Sequence, residues 1–418
     1  MADGGPRTNY RWWICALLFA ATTINYVDRQ AIAILKPTLS HALHWTEGDY
    51  AGIVFWFQCA YAAGYLFAGR LMDVIGLRRG YALSVLLWSA AAVGTAFVTS
   101  VSGFCWVRAA LGLAEGGNFP AAIKTVSEWF PKKERALATG IFNAGAPIGA
   151  IVTPLAVPYL TLHFGWPTAF IVTGALGLLW LVWWFVGYGH PSSHLRCNAA
   201  ELAVIESDPA DPPTPVSWLG LLKYRAVWAY VLGTGLTSPI WWFYLFWVPG
   251  FLFDNYHLDL KNLGAPVVLV YLISDVGSIG GGWLSSMLLR HGLSLNASRK
   301  IALGACALLV FPVVGAAYTQ NLWMAALVIG LAAAGHQGWS ANLFTLASDT
   351  MPRRVVSSVV GMGGVVGAVG GMGFAKLVPI VLDRTHSYLL LFAMAPAAYV
   401  LGWLAIHLLV RQIKPELE

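Results

Sequence analysis

The chain has 418 residues, 58% of them hydrophobic and only 11% charged, with a formal net charge of +6 and a mean hydropathy of +0.66. A soluble domain carries roughly a quarter charged residues, so this composition excludes an ordinary soluble fold and points to the membrane. The basic surplus lies in no basic tract or soluble module, which argues against a nucleic-acid partner.

Apolar stretches recur from Trp12 onward, each about 20 residues long and able to cross the roughly 30 Å hydrocarbon layer as a helix. They predict six helices over 12–36, 48–69, 81–99, 102–126, 136–160 and 167–188, and six more over 226–252, 263–289, 301–318, 321–348, 355–381 and 387–410. The first is too long for a signal-peptide core, lacks a small-residue cleavage pattern and carries Asp28 and Arg29, so it is expected to stay as helix 1. Residues 190–224, with the Pro-rich run from Asp208 to Pro215 and several charges, read as an aqueous linker between bundles at 1–189 and 225–418. With the N-terminus inside, 18 of the 25 basic residues fall on cytoplasmic segments, which places both termini and the linker in the cytoplasm.

The halves repeat one another at a constant offset of 221 positions. Ser127 to Lys133 (SEWFPKK) closes helix 4 and Ser348 to Arg354 (SDTMPRR) closes helix 10; the same offset takes Gly140 to Gly361, Gly149 to Gly370, and Arg78-Arg79 to Arg299-Lys300. A parallel repeat of six helices predicts an all-α integral membrane protein of two pseudo-symmetric bundles, with a binding site near the midplane between them.

The membrane-embedded charges carry the chemistry. A charged side chain at bilayer depth costs at least about 2.5–3.5 kcal/mol, so such residues face cavities and do work there. Asp28, Arg29, Arg108 and Glu115 all lie well inside their predicted helices, and Arg108 and Glu115, seven apart, share one face of helix 4. Two arginines stay cationic at any relevant pH, whereas two carboxylates switch between charged and neutral forms. Protonated carboxyls release the positive charge to an anion, so proton and anion favour each other's binding. The alternative is a permanent structural ion pair between Arg108 and Glu115. Neutral hydrogen-bonding and flat apolar groups come from Tyr26, Tyr61, Asn143, Trp242, Tyr244, Gln337 and Asn342. His336, at the repeat position of Glu115, fits a proton relay or a substrate-binding donor to a substrate oxygen, or else a neutral histidine held between helices, and Asp275 fits either a second proton site or a structural carboxyl. The glycine-rich run from Gly361 to Gly373 lacks a preceding strand and suits helix sliding rather than phosphate binding. Cys15, Cys59, Cys105, Cys197 and Cys306 are scattered without a CxxC pair, so neither disulfides nor a metal centre is indicated, and no cofactor is expected.

After helix 2, the run Gly69-Arg70-Leu71-Met72-Asp73-Val74-Ile75-Gly76-Leu77-Arg78-Arg79 resembles the loop signature of the major facilitator superfamily. Gly69 would allow close helix approach, and Asp73 with Arg78 and Arg79 would form a charge latch that breaks and remakes between states; a plain charged turn is the alternative. Asn25 to Arg29 (NYVDR), Arg108, Glu115, Phe119, Pro120 and Glu128 to Arg135 (EWFPKKER) together resemble the anion:cation symporter family. Ile141-Phe142-Asn143, Trp241 to Tyr244 (WWFY) and His336 to Asn342 (HQGWSAN) are similar to the hexuronate and related sugar-acid transporters, and the likeness spans about residues 11–411.

The resemblance implies a multi-pass transporter of the inner (plasma) membrane, monomeric, with no enzymatic activity. It gives Asp28 and Glu115 protonation, and Arg29 and Arg108 the substrate carboxylate, with Tyr26 and Tyr61 at pocket positions. Where galactonate-type members carry Gln in helix 5 and Asn in helix 11, this chain has Ala146 and Gly364, which favours a hexuronate or another sugar acid. The expectation is therefore proton-coupled uptake of a small carboxylate. The alternatives are a proton-independent organic-anion facilitator or exchanger, or a symporter of an aldonate or aldarate.

Overall fold

The computed structural model describes residues 7–208, 219–256 and 264–414. Most of the Pro-rich run, from 209 on, lies outside the described residues. The described residues form fifteen α-helices and no strand: α1 (Tyr10–Leu43), α2 (Glu47–Ile75), α3 (Leu77–Thr95), α4 (Val101–Glu115), α5 (Asn118–Trp129), α6 (Lys132–Asn143), α7 (Gly145–Phe164), α8 (Trp166–Gly187), α9 (Ala199–Ile205), α10 (Arg225–Tyr256), α11 (Gly264–Arg290), α12 (Leu295–Val310), α13 (Leu322–Thr350), α14 (Val356–Thr385) and α15 (Leu389–Leu409). Helices are the open-ended solution for a chain in lipid, because each satisfies its own backbone groups. Seven segments are long and apolar enough to cross on composition alone: 52–75, 132–164, 166–187, 265–290, 295–317, 356–382 and 389–409. The other passages, α1, α3, α4 with α5, α10 and α13, complete the expected twelve, and three of them carry the buried polar residues described below.

Two predicted helices are each broken in two. Helix 4 breaks at Gly116-Gly117, where a Cβ on Gly116 would stand 2.6 Å from the Gly64 carbonyl carbon of α2. Helix 5 breaks between Asn143 and Gly145, and a Cβ on Gly145 would stand 2.6 Å from the Phe19 oxygen of α1. In both places the absence of a side chain lets backbones touch, the packing on which membrane helices rely when lipid removes the hydrophobic drive between them.

The described chain divides into two compact units. One holds 1–132, 145–213 and 353–361; the other holds 133–144, 214–352 and 362–418. In the first, α4 meets α2 backbone to backbone, with a Gly112 Cβ placed 2.4 Å from the Phe57 oxygen. On α8 and its C-cap, Trp180, Trp184 and Tyr188 stack at four-residue spacing, and α8 is fixed to its neighbours by bonds from Trp180 Nε1 to the Leu17 carbonyl (2.8 Å) and Trp184 Nε1 to the Arg78 carbonyl (3.0 Å). In the second unit, α11 meets α13 equally closely, with Gly277 on Ala334 and Gly281 on Gly338.

The sequence repeat has a geometric counterpart. A Cβ on Gly140 (α6) would stand 2.4 Å from the Ser278 oxygen of α11, and one on Gly361 (α14) would stand 2.4 Å from the Tyr65 oxygen of α2. The 221-residue offset thus pairs glycines that make the same contact, each inside its own unit.

Linker helix α9 is anchored to the N-terminal segment by one carboxylate. Glu201 accepts from the Arg11 guanidinium (2.9 Å), the Thr8 hydroxyl (2.7 Å) and the amides of Tyr10 (2.9 Å) and Arg11 (3.1 Å). Burial pulls its pKa upward, but these bonds outweigh burial and hold it below the usual glutamate range. A carboxyl depressed in the folded state stabilises fully above its unfolded value, and that stabilisation is lost as the pH falls through the folded value. Glu201→Gln is therefore expected to cost about 1.5–3 kcal/mol near neutral pH. In thermal unfolding of purified protein, the gap to the parent chain should close below about pH 4.

Candidate functional site

In the first unit, α1 and α4 bring their four charges into one buried cluster. Arg29 Nε donates to Glu115 Oε2 at 3.0 Å, with side-chain exposures of 7% and 0%. The same guanidinium donates to Asn25 Oδ1 (3.1 Å), one turn earlier on α1. It lies over the rings of Tyr61 (4.3 Å), Tyr26 (4.8 Å) and Phe57 (5.7 Å), so aromatic faces add cation–π attraction where water is excluded. Tyr61 in turn donates to the Tyr65 hydroxyl at 3.2 Å.

Arg108 shares a face of α4 with Glu115, but its hydrogen bonds go elsewhere. Its two terminal nitrogens donate to the main-chain carbonyls of Asp28 (3.2 Å) and Arg29 (2.9 Å), so it clamps α4 onto α1. The buried ion pair consequently runs between helices, from Arg29 to Glu115. Asp28 is buried, and neither of its carboxyl oxygens has a hydrogen-bond partner among the described residues. Thr173 lies beside it, with its hydroxyl turned to the Phe170 carbonyl. A buried carboxylate without hydrogen bonds is expensive, and the neutral carboxyl costs less. Of the four residues, Arg29 is the most accessible, at 8% against 1% for Asp28, 2% for Arg108 and 0% for Glu115.

In the second unit the expected site residues are amides, aromatics and a histidine rather than carboxylates and arginines. Asn143 Nδ2 donates to Gln337 Oε1 (2.7 Å) and to Ser278 Oγ (3.2 Å). His336 has both ring nitrogens engaged, Nδ1 with the Tyr399 hydroxyl and Nε2 with Ser340 Oγ (3.2 Å), and its ring stacks on Trp241 at 5.0 Å. Asn342 donates to the carbonyls of Gly281 and Gly338, both at 2.9 Å, and so braces α11 against α13. Trp242 packs on α14 at Gly371, and Tyr244 is buried with its hydroxyl unpaired among the described residues. The structure thus brings Asn143 and Gln337 together, while Asn342, Trp242 and Tyr244 lie against other partners.

The signature, expected after helix 2, spans the last turns of α2 and the start of α3, and makes its contacts within the first unit. Asp73 accepts from Lys124 Nζ (2.8 Å) and from the amide (2.9 Å) and hydroxyl of Ser358, and a Cβ on Gly69 would stand 2.4 Å from the Ser357 oxygen. Arg78 donates to the Phe185 carbonyl (2.7 Å), and Arg79 is exposed. Gly76, with φ +86°, makes the turn into α3 in a conformation that only glycine adopts at no steric cost. In the second unit Asp349 plays a matching part, accepting from Arg299 (2.8 Å) and Arg135 (3.4 Å).

Sequence reasoning passed over Ser278, Tyr399 and the Asp73 partnership of Lys124. Two signals were available: a lysine inside an apolar span, and hydroxyls at Ser274 and Ser278, one turn apart on an apolar helix.

The chain matches the profile described as Major Facilitator Superfamily over residues 18–375. It belongs to the major facilitator superfamily. It is therefore a multi-pass membrane transporter rather than an enzyme, with the twelve-helix fold of that superfamily. It is 32% identical to the hexuronate transporter of Escherichia coli K12 over 98% of this chain and 95% of that protein. It is 33% identical to the galacturonate transporter of Dickeya chrysanthemi over 72% of this chain and 89% of that one. Among solved structures, the major facilitator proton:xylose symporter XylE, bound to 6-bromo-6-deoxy-D-glucose, superposes with a TM-score of 0.73 at 14% identity, covering 96% of this chain and 95% of that one. At that identity the likeness is one of fold.

Removing one partner of a buried pair strands the other. Arg29→Ala is expected to cost about 3–5 kcal/mol of stability, because Glu115 is left buried and unpaired. The double variant Arg29→Ala/Glu115→Gln should recover most of that loss. Thermal unfolding of both, side by side in detergent, checks the sign of the coupling.

Proposed function

We infer that this superfamily member takes up a sugar acid, a hexuronate such as glucuronate or galacturonate first of all, in symport with protons by alternating access. One observation carries this reading: Arg29, the least buried of the four charges, is held by a carboxylate, Glu115, beside a second buried carboxyl, Asp28, that has no hydrogen-bond partner among the described residues. With Glu115 ionised, the guanidinium is neutralised from within. Protonation of Glu115 releases it, and a substrate carboxylate takes the vacated place with two charge-assisted hydrogen bonds. Proton and anion then raise each other's affinity by the same factor, which is the coupling that symport needs. Asp28 is the companion proton carrier, because its surroundings accommodate a neutral acid. Arg108, committed to the carbonyls of α1, transmits occupancy of Arg29 to the α1–α4 contact rather than holding the ligand.

The hexuronate and galacturonate transporters among the relatives support a sugar acid as the cargo. The neutral groups Asn143 and Gln337 suit its hydroxyls, and Tyr26 and Tyr61 flank its carboxylate. The bias of basic residues supports cytoplasmic termini, and the proposed transporter works as a monomer in the inner (plasma) membrane. Asp73 with Lys124 and Ser358 acts as the conformational latch, seated through Gly69, with Arg78 tying the same turn to the Phe185 carbonyl and Arg79 exposed beside it.

In proteoliposomes, an inward proton gradient should drive accumulation of labelled glucuronate or galacturonate above equilibrium. Asp28→Asn should abolish accumulation while leaving substrate exchange across the membrane, and Arg29→Ala should lose binding by a factor of 100 or so, the worth of about two charge-assisted hydrogen bonds. Accumulation that ignores the pH gradient would establish the facilitator or exchanger instead. A thermal shift with aldonates or aldarates but none with hexuronates would move the substrate to those classes.

A further inference from the structure

Resting on the sugar-acid reading above, we propose that Ser278 is a positioning residue that fixes which way the Asn143 and Gln337 amides point, and so which ligand hydroxyls must donate and which must accept. Ser278 has a single proton, and it is committed: Oγ donates to the Gly140 carbonyl at 2.9 Å. Oγ can therefore only accept from Asn143, which must turn its NH2 toward it, at 3.2 Å. The second hydrogen of that NH2 goes to Gln337 Oε1 at 2.7 Å, which sets the Gln337 amide in turn. The chain of bonds has one direction from end to end. What remains unpaired is a donor, Gln337 Nε2, and an acceptor, Asn143 Oδ1; neither has a partner among the described residues, and neither is among the buried unpaired polar atoms.

The chain of bonds starts from a backbone contact. Gly140 lets α6 lie against α11, where a Cβ would stand 2.4 Å from the Ser278 oxygen, and Gly282 does the same one turn further on, 2.2 Å from the Ala136 oxygen. A main-chain carbonyl cannot reverse its polarity, so it serves as a fixed reference for two side-chain amides that otherwise could flip. Ser278 itself need not touch the ligand.

Monofluorinated hexuronates test this, because fluorine accepts weakly and never donates. The unsubstituted protein should tolerate fluorine at the ring position served by Gln337 and reject it at the position served by Asn143, with affinities from thermal shift or competition differing by about 3- to 10-fold. Ser278→Ala frees Asn143 to flip, and this difference should collapse toward one, while the pH dependence of transport stays as in the parent. Ser278→Thr keeps the hydroxyl and should restore the pattern. If Ser278→Ala does not fold, Gln337→Glu removes the outward donor, and tolerance of fluorine at the Gln337 position should disappear. An unchanged pattern in Ser278→Ala, or an equal loss for every analogue, would overturn the proposal. Absence of any hexuronate binding by the parent chain would instead overturn the sugar-acid reading, and this proposal with it.

Discussion

A charge held at bilayer depth must be neutralised by the protein itself, and the Arg29–Glu115 pair meets that constraint in a way that organises everything around it. A pair between two helices demands that the helices be held at fixed separation. Arg108 does this by binding the α1 main chain, while the glycines of α2 and α4 fix α4 against α2 by letting backbones touch. The break after Glu115 belongs to the same scheme, because it ends α4 at the residue whose carboxylate must reach α1. The aromatic rings around Arg29 supply attraction without supplying a competing anion. A buried pair of this kind adds little net stability. Its retention is intelligible where each partner must at some moment exchange the other for something else.

Much of the architecture was legible in the sequence because membrane insertion imposes strong compositional rules. The apolar stretches marked the passages, and the 221-residue offset marked Gly140 and Gly361, which make equivalent contacts in their respective units. The breaks inside helices 4 and 5 were not legible. Both are set by a neighbour's backbone, and a glycine within an apolar run looks the same whether it ends a helix or merely packs against one. Helix ends were also short of the observed ones: α1 runs on to Leu43, a full two turns past the predicted boundary at 36, since polar residues such as Ser40 and His41 extend a helix readily once it leaves the apolar layer.

For the site, sequence reasoning found the charges but not their pairing. Seven-residue spacing put Arg108 and Glu115 on one face, and that spacing says nothing of Arg29, which lies 86 positions from Glu115 and reaches it only because the tertiary fold brings α1 and α4 within side-chain reach. The neutral polar residues were harder still. His336, Asn342 and Gln337 sit within one short run of α13, yet they point to Tyr399 and Ser340, to two backbone carbonyls and to Asn143 respectively. Hydrogen-bond partnership is a property of three or four helices together. No local pattern encodes it.

The aromatic contacts of Arg29 bear on handedness. Rings packed over a guanidinium occupy its faces, and its N–H bonds all lie in the plane between those faces, so only the edge remains for directed bonding. A carboxylate that docks on that edge must lie coplanar with it, and the carbon bearing the carboxylate then leaves along a single line. Rotation about that line is the one freedom left to the rest of the molecule. A second fixed contact removes it, and a third, off the plane that the first two define, admits one hand of the ligand and refuses its mirror image.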